Sequence, residues 1–222
     1  NLYFTEASSD AVLVRRADGG VEILASRADL LAVTGQSSAD PQSVAVGRDG
    51  SVYLNDEYSD AVLMVDPATG SVSRLASATA LRLSLGMSTV DLDGGIAVGT
   101  DGRVYSVSYG IPDTLFAISP DGGLATILSG SPLSGSDGYA ATAANGDILI
   151  ADDGAVAVIR VTPGGSASVE FDSSQIRAAN NGIYPDLEAG LGVDRAGQLF
   201  LLDENEDNLL RFDTSGTGAV FV

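Results

Sequence analysis

The chain has 222 residues, of which 45% are hydrophobic and 18% are charged, with a formal net charge of −19 and a pI near 4.1. This composition indicates one globular domain, and the sequence contains no apolar run long enough to span a membrane. The negative charge disfavours nucleic acid and anionic membrane surfaces as partners. The absence of Cys and His excludes disulfides, thiolate metal ligands and imidazole catalysis.

The N-terminal segment, residues 1–26, predicts three short strands, and a helical turn is predicted at residues 28–33. Compared with the segment that follows, it lacks the first of four strands. Three explanations stay open at this point: the sequence is part of a longer chain, a ring closes with a three-stranded unit, or a strand from another molecule pairs with the open edge.

Residues 41–77 predict one complete four-stranded unit, PQSVAVGRDGSVYLNDEYSDAVLMVDPATGSVSRLAS. Four runs of about five residues, rich in β-branched and aromatic side chains, are separated by turn signals at residues 48–50, 56–60 and 67–70. This pattern predicts an antiparallel meander. A single sheet of this kind is marginally stable, so it requires neighbours of the same type.

The same unit recurs along the chain. The motif that begins at Asp60 has counterparts spaced 43 to 53 residues apart, which begin at Asp10, Asp113, Val156 and Asp207. A repeat of this length with four strands per unit is typical of β-propeller blades, whereas an unrelated β-sandwich would not repeat its turns in step.

We therefore predict an all-β protein with a single propeller domain at residues 1–222. Its four-stranded antiparallel blades are expected near residues 1–26 (incomplete), 41–77, 93–130, 137–171 and 188–222. Apolar residues of the first strands should lie in the core, namely Val44, Val46, Ile96, Val98 and Val193.

The repeat resembles the NHL-repeat propellers in its pattern G-x-(V/L)-Y-x-x-(D/E)…A-V-L-x-x-D-P-x-T-G, which is clearest between Gly50 and Gly70. It is also similar to the wider superfamily of gluconolactonase-like and paraoxonase-like six-bladed propellers. The NHL pattern usually carries an Arg after the second-to-third strand loop, where this chain has Ala11, Ala61 and Thr114. The resemblance implies a six-bladed ring and a hydrolase, a lyase or a binding and assembly module.

One end of the propeller is expected to be strongly acidic. The loop between the second and third strands and the connection to the next blade lie at the same end of an antiparallel meander. These segments carry most of the carboxylates, for example Asp56, Asp60, Asp152 and Asp203. The opposite end carries Asp-Gly turns together with several arginines.

Three carboxylates stand nine residues before the glycine of the first turn in their blades: Asp93, Asp137 and Glu188. This spacing places them where the inner strand begins, at the mouth of the central channel. Oxygen ligands without His or Cys suit Ca²⁺ or Mg²⁺, so we predict a Ca²⁺ site here, with solvated strand-capping carboxylates as the alternative. Calcium-dependent relatives also hold their metal at the channel, although their ligand sets include Asn, which these positions lack.

The residue types favour binding over catalysis. There is no His, no Cys nucleophile and no G-x-S-x-G motif. Tyr58, Tyr109, Tyr139 and Tyr184 fall near the acidic end, where they form either a binding surface or ordinary blade packing. We expect a secreted, periplasmic or cell-surface module that binds protein partners, further copies of itself and divalent cations, and that builds filaments. The alternative is a divalent-metal-dependent hydrolase of the lactonase type.

Overall fold

The computed structural model describes residues 1–135, 138–187 and 190–222, and its fold is the predicted β-propeller. In this part of the chain, nineteen strands form five antiparallel meanders, one of three strands and four of four. Blade one consists of β1 (Leu2–Glu6), β2 (Ala11–Arg15) and β3 (Val21–Ala25). Blade two consists of β4 (Pro41–Val46), β5 (Val52–Asp56), β6 (Ala61–Val65) and β7 (Val72–Ala76).

Blade three consists of β8 (Ile96–Val98), β9 (Val104–Ser108), β10 (Thr114–Ile118) and β11 (Leu124–Ser129). Blade four consists of β12 (Ala140–Thr142), β13 (Ile148–Asp152), β14 (Ala157–Val161) and β15 (Ala167–Phe171). Blade five consists of β16 (Leu191–Val193), β17 (Leu199–Asp203), β18 (Asn208–Phe212) and β19 (Gly218–Val220).

The first strands of successive blades pack beside one another around the ring, with β4 against β8, β8 against β12 and β12 against β16. In blade one, β1 packs directly against β4, although its sequence matches that of β5. The three-stranded first sheet was predicted from the sequence and is confirmed. Leu2 is 61% exposed, whereas the corresponding Val52 and Ile148 of complete blades are fully buried.

Three helices lie in the connections between blades within the described residues: α1 (Arg27–Thr34), α2 (Ala78–Leu85) and α3 (Ser173–Ala179). Each follows the last strand of one blade and packs against the last strand of the next, β7, β11 or β19. Ser26, Ser77 and Asp172 accept hydrogen bonds from backbone N–H groups of the first helical turn, so each helix begins at a side-chain cap. No helix in the described part of the chain is long and apolar enough to cross a membrane.

The hydrophobic core lies between adjacent blades. Leu54 and Leu63 of blade two, for example, pack in one cluster with Val12 of blade one. Among the predicted core residues, Ile96 is buried, whereas the partly buried residues Val44, Val98 and Val193 pack against the clusters. The prediction was wrong for Val46, which is 47% exposed because it lies at the end of β4, where the strand runs into the turn.

Candidate functional site

We call the end of the propeller that carries the second-to-third strand loops and the interblade connections the loop face. Three buried aspartates end the second strands of their blades at this face: Asp56, Asp152 and Asp203. Each accepts a backbone N–H from the connection that precedes its own blade. The N···O distances are 2.6 Å from Asp40 to Asp56, 3.0 Å from Ser134 to Asp152 and 2.8 Å from Asp186 to Asp203.

The same three carboxylates also hold their own loops. Asp56 accepts the N–H of Ser59 at 3.2 Å, and Asp152 accepts the N–H of Ala155 at 2.8 Å. Blade three uses a hydroxyl instead, because Ser108 Oγ accepts the N–H of Asp91 at 3.0 Å. A buried carboxylate is stable when backbone donors satisfy it, so this column of acids fixes the connections between blades.

Two further acids of the second-to-third strand loops, Asp60 and Asp153, join neighbouring blades. Between blades two and three, the N–H of Leu92 donates to Asp60 Oδ1 at 3.2 Å, and between blades four and five the N–H of Leu187 donates to Asp153 Oδ1 at 3.1 Å. Asp10, Asp60 and Asp207 adopt left-handed backbone angles, with φ of 50°, 47° and 52°. Aspartate tolerates this conformation, which explains why it recurs before the A-V-L strand.

Carboxylates of adjacent segments face one another at three places on the loop face. Burial first, and then the charges of Asp10 and Asp56, raise the pKa of Asp40. Burial raises the pKa of Asp60 to about 6, and Asp91 and Glu57 raise it further, whereas the N–H of Leu92 and the charge of Arg82 lower it. The pKa of Asp113 is raised by burial and by Asp152. The loop face therefore carries closely spaced negative charge.

A cavity of about 330 Å³ opens beside Asp60 between the loops of blades two and three. We call it the Asp60 cavity; its lining includes Gln36, Tyr58, Asp60, Arg82 and Thr89. Tyr58 is half-exposed, and its hydroxyl lies 3.0 Å from Ser37 Oγ. The cavity thus combines a carboxyl group with a pKa of about 6, a phenol and a guanidinium group.

The predicted calcium site is only partly described. Asp93 is half-buried, and its backbone N–H lies 3.4 Å from Asp91 Oδ1. Asp137 and Glu188 lie outside the described residues, so their convergence with Asp93 stays a prediction. Within residues 1–135, 138–187 and 190–222, no group of three or more acids has a geometry that could hold a metal ion.

The predicted tyrosine surface is exposed at two positions. Tyr58 and Tyr184 are each more than half exposed, and the guanidinium of Arg177 lies 5.6 Å from the ring centre of Tyr184. Tyr109 and Tyr139 are partly buried. Tyr58 is the tyrosine that lines the Asp60 cavity.

Arginine pairing differs between the two ends of the propeller. On the loop face, Arg27 Nε lies 3.3 Å from Asp10 Oδ2. The other ion pairs among the described residues lie toward the opposite end, which carries the tight turns and which we call the turn face: Arg16–Glu22, Arg103–Asp101, Arg160–Asp147 and Arg160–Glu170. The sequence predicted an acidic end but gave no sign of the cavity of about 660 Å³ on the turn face.

The strand order and the repeated loop contacts define the protein as a β-propeller. No protein-family model matches the sequence, and a search of curated proteins found no significant match. Among solved structures, the chain is similar to a catalytically inactive H270A virginiamycin B lyase from Staphylococcus aureus with quinupristin, with a TM-score of 0.69, 14% identity and coverage of 99% of this chain and 65% of the lyase.

A gluconolactonase from Xanthomonas campestris gives a TM-score of 0.66 at 17% identity, with coverage of 98% of this chain and 71% of that protein. TolB from Acinetobacter baumannii gives a TM-score of 0.66 at 14% identity, with coverage of 99% of this chain and 52% of TolB. The chain thus spans just under two thirds of the lyase and about half of TolB. At these identities, the similarities show the fold alone.

Proposed function

We propose that the protein is a non-catalytic binding or assembly module outside the cytoplasm, and that its loop face binds cations and basic partners. The observation that supports this most directly is the arrangement of Asp40, Asp60 and Asp113, each of which faces another carboxylate and has a raised pKa. Burial is the larger cause of each raised pKa, and a bound cation relieves the smaller part that comes from the neighbouring carboxylates. An extracytoplasmic location is consistent with such a site, because weak carboxylate sites are filled at the millimolar free Ca²⁺ found outside cells.

The experiment is a thermal melt in buffer, in millimolar CaCl₂ and in NaCl of matched ionic strength. We expect Ca²⁺ to raise the Tm more than NaCl does, because a ligand that binds only the folded state stabilises it by mass action. An Asp93→Asn/Asp137→Asn variant should lose the additional rise, since these residues belong to the predicted channel-mouth site. An equal rise in the two salts would reduce the effect to screening and contradict the calcium site.

A metal-dependent lactonase is the second candidate function, and two observations favour it. A gluconolactonase is among the structural neighbours, and the carboxyl group of Asp60, with a pKa of about 6, borders a polar cavity. A carboxyl group in this pKa range is suited to proton transfer near neutral pH. Hydrolysis of glucono-1,5-lactone above the spontaneous rate, lost on chelation of metal and in Asp60→Asn, would favour this candidate over the binding module.

A further inference from the structure

The turn face has a cavity of about 660 Å³ between blades two and three, which we call the turn-face cavity. Met64, Val98 and Ile118 form apolar parts of its wall, and Tyr53, Arg48 and Arg74 form polar parts. Its volume falls within the range of about 300–1,000 Å³ that is usual for small-molecule sites. It lies at the opposite end of the propeller from the acidic loop face.

One side chain crosses the corresponding junction between blades three and four. Arg103 Nε lies 2.7 Å from Asp101 Oδ2, and Arg103 Nη2 donates across the junction to the carbonyl of Pro163 at 3.3 Å. The guanidinium also lies 5.1 Å from the ring centre of Tyr105, which is fully buried and donates its hydroxyl to Asp101. Arg103 therefore bridges these two blades and occupies part of the space between them.

Blade two has the same turn, but its residue at the Arg103 position does not cross to blade three. The N–H of Gly47 donates to the Ser51 carbonyl at 2.8 Å, which matches the 2.8 Å bond from Gly99 to the Arg103 carbonyl. Ser51 thus occupies the position of Arg103, and Tyr53 the position of Tyr105. The Ser51 hydroxyl donates to Asp49 in its own turn at 3.0 Å. A serine is too short to cross to Pro120, the counterpart of Pro163, so the junction stays open and Tyr53 is partly exposed.

The lining of the cavity carries two arginines and two aspartates, and the arginines are the charged groups available to a ligand. Arg48 and Arg74 are exposed, and neither has a carboxylate within ion-pair distance among the described residues. The two aspartates of the lining accept hydrogen bonds from residues of their own turns. Asp49 accepts the N–H and the hydroxyl of Ser51, and Asp121 accepts the N–H of Gly123 at 3.3 Å and the hydroxyl of Ser119.

We propose that the turn-face cavity binds a small amphipathic carboxylate. The apolar body of the ligand packs against Met64, Val98 and Ile118, and its carboxylate pairs with Arg48 and Arg74. Guanidinium groups bind carboxylates through paired, charge-assisted hydrogen bonds, and the apolar wall supplies contact area. This site is separate from the loop face and does not depend on the function proposed for it.

The test is a calorimetric titration of the whole chain with octanoate, with 1-octanol as the uncharged counterpart. We expect saturable octanoate binding at one site. Ser51→Arg should abolish it, because the new side chain can reach Asp49, Tyr53 and the Pro120 carbonyl as Arg103 reaches its partners. Ala196→Arg adds the same charge at an exposed turn of blade five and should leave binding unchanged.

A second variant distinguishes the contribution of the two arginine charges to binding from that of the apolar wall. Arg48→Gln/Arg74→Gln should weaken octanoate by about tenfold or more, the effect of losing a charge-assisted hydrogen bond, and leave octanol binding unchanged. Absence of saturable octanoate binding, or binding that survives Ser51→Arg, would overturn the site. An equal loss of octanoate and octanol in the glutamine variant would overturn the role of the two arginines.

Discussion

At the scale of single residues, aspartate has two distinct positions on the loop face. Asp56, Asp152 and Asp203 are buried and accept hydrogen bonds from backbone N–H groups, so these carboxylates hold the connections between blades in place. Asp60 is partly exposed, accepts one N–H from the neighbouring blade and faces other acids. A carboxylate in the second position can bind a cation or a proton without losing the hydrogen bonds that hold the connections between blades.

The raised pKa of Asp60 predicts a pH effect on stability. The pKa is 3.8 for the free side chain and about 6 in the fold, so the folded state holds a proton that the unfolded chain has released. The stabilisation from this group is present below pH 4 and is lost as the pH rises through 6, by at most about 3 kcal/mol. Asp60→Asn keeps an acceptor for the Leu92 N–H but has no proton to release.

Urea unfolding between pH 4 and 7 measures this effect. We expect the free energy of unfolding of Asp60→Asn, relative to the wild type, to increase as the pH rises through this range. Asp18→Asn, at an exposed turn, is the control and should show no such trend. A difference between Asp60→Asn and the wild type that does not depend on pH would contradict the assignment.

At the scale of strands and helices, the pattern of apolar residues predicted the meanders, and the breaks between them fell near the observed turns. Residues 28–33 were predicted as a helical turn, and α1 (Arg27–Thr34) confirms it. The depth of burial within a strand was predicted less well. Val44 and Val46 are both valines on the same face of β4, yet only Val44 packs against the core. Val46 lies at the end of the strand, which is open to solvent.

This difference in burial predicts unequal costs for two truncations in blade two. Leu54→Ala removes a fully buried side chain and should lower the free energy of unfolding by about 2–5 kcal/mol. Val46→Ala removes a half-exposed side chain and should cost less than about 0.5 kcal/mol. Denaturant unfolding measures both, and similar costs would contradict the described packing.

At the scale of the whole molecule, the charge of −19 is distributed unequally between the two ends. Arginine pairs lie mainly toward the turn face, and mutually facing carboxylates lie on the loop face. Within the described residues, β1 is an edge strand of its sheet, and Leu2 at its start is largely exposed. An edge strand offers backbone groups to another chain, while like charges keep such chains apart.

These features predict self-association that depends on divalent ions. We expect chains to associate head to tail in Ca²⁺, because cations bridge acidic surfaces that otherwise repel, and a heterologous contact of this kind builds filaments when it does not close. Sedimentation velocity at tens of micromolar protein, with and without Ca²⁺, measures the assembly. A monomer under both conditions would rule out this form of assembly.

The sequence by itself determined the repeat, the strands, the turns and the acidic end, because these depend on local spacing and residue type. It also indicated the Asp before the third strand, whose left-handed backbone is a local property. Only the tertiary structure decided which carboxylates accept hydrogen bonds from backbone N–H groups, because those donors lie in connections that are distant in the sequence. It likewise revealed the turn-face cavity, since the difference between Ser51 and Arg103 matters only once the next blade lies across the junction.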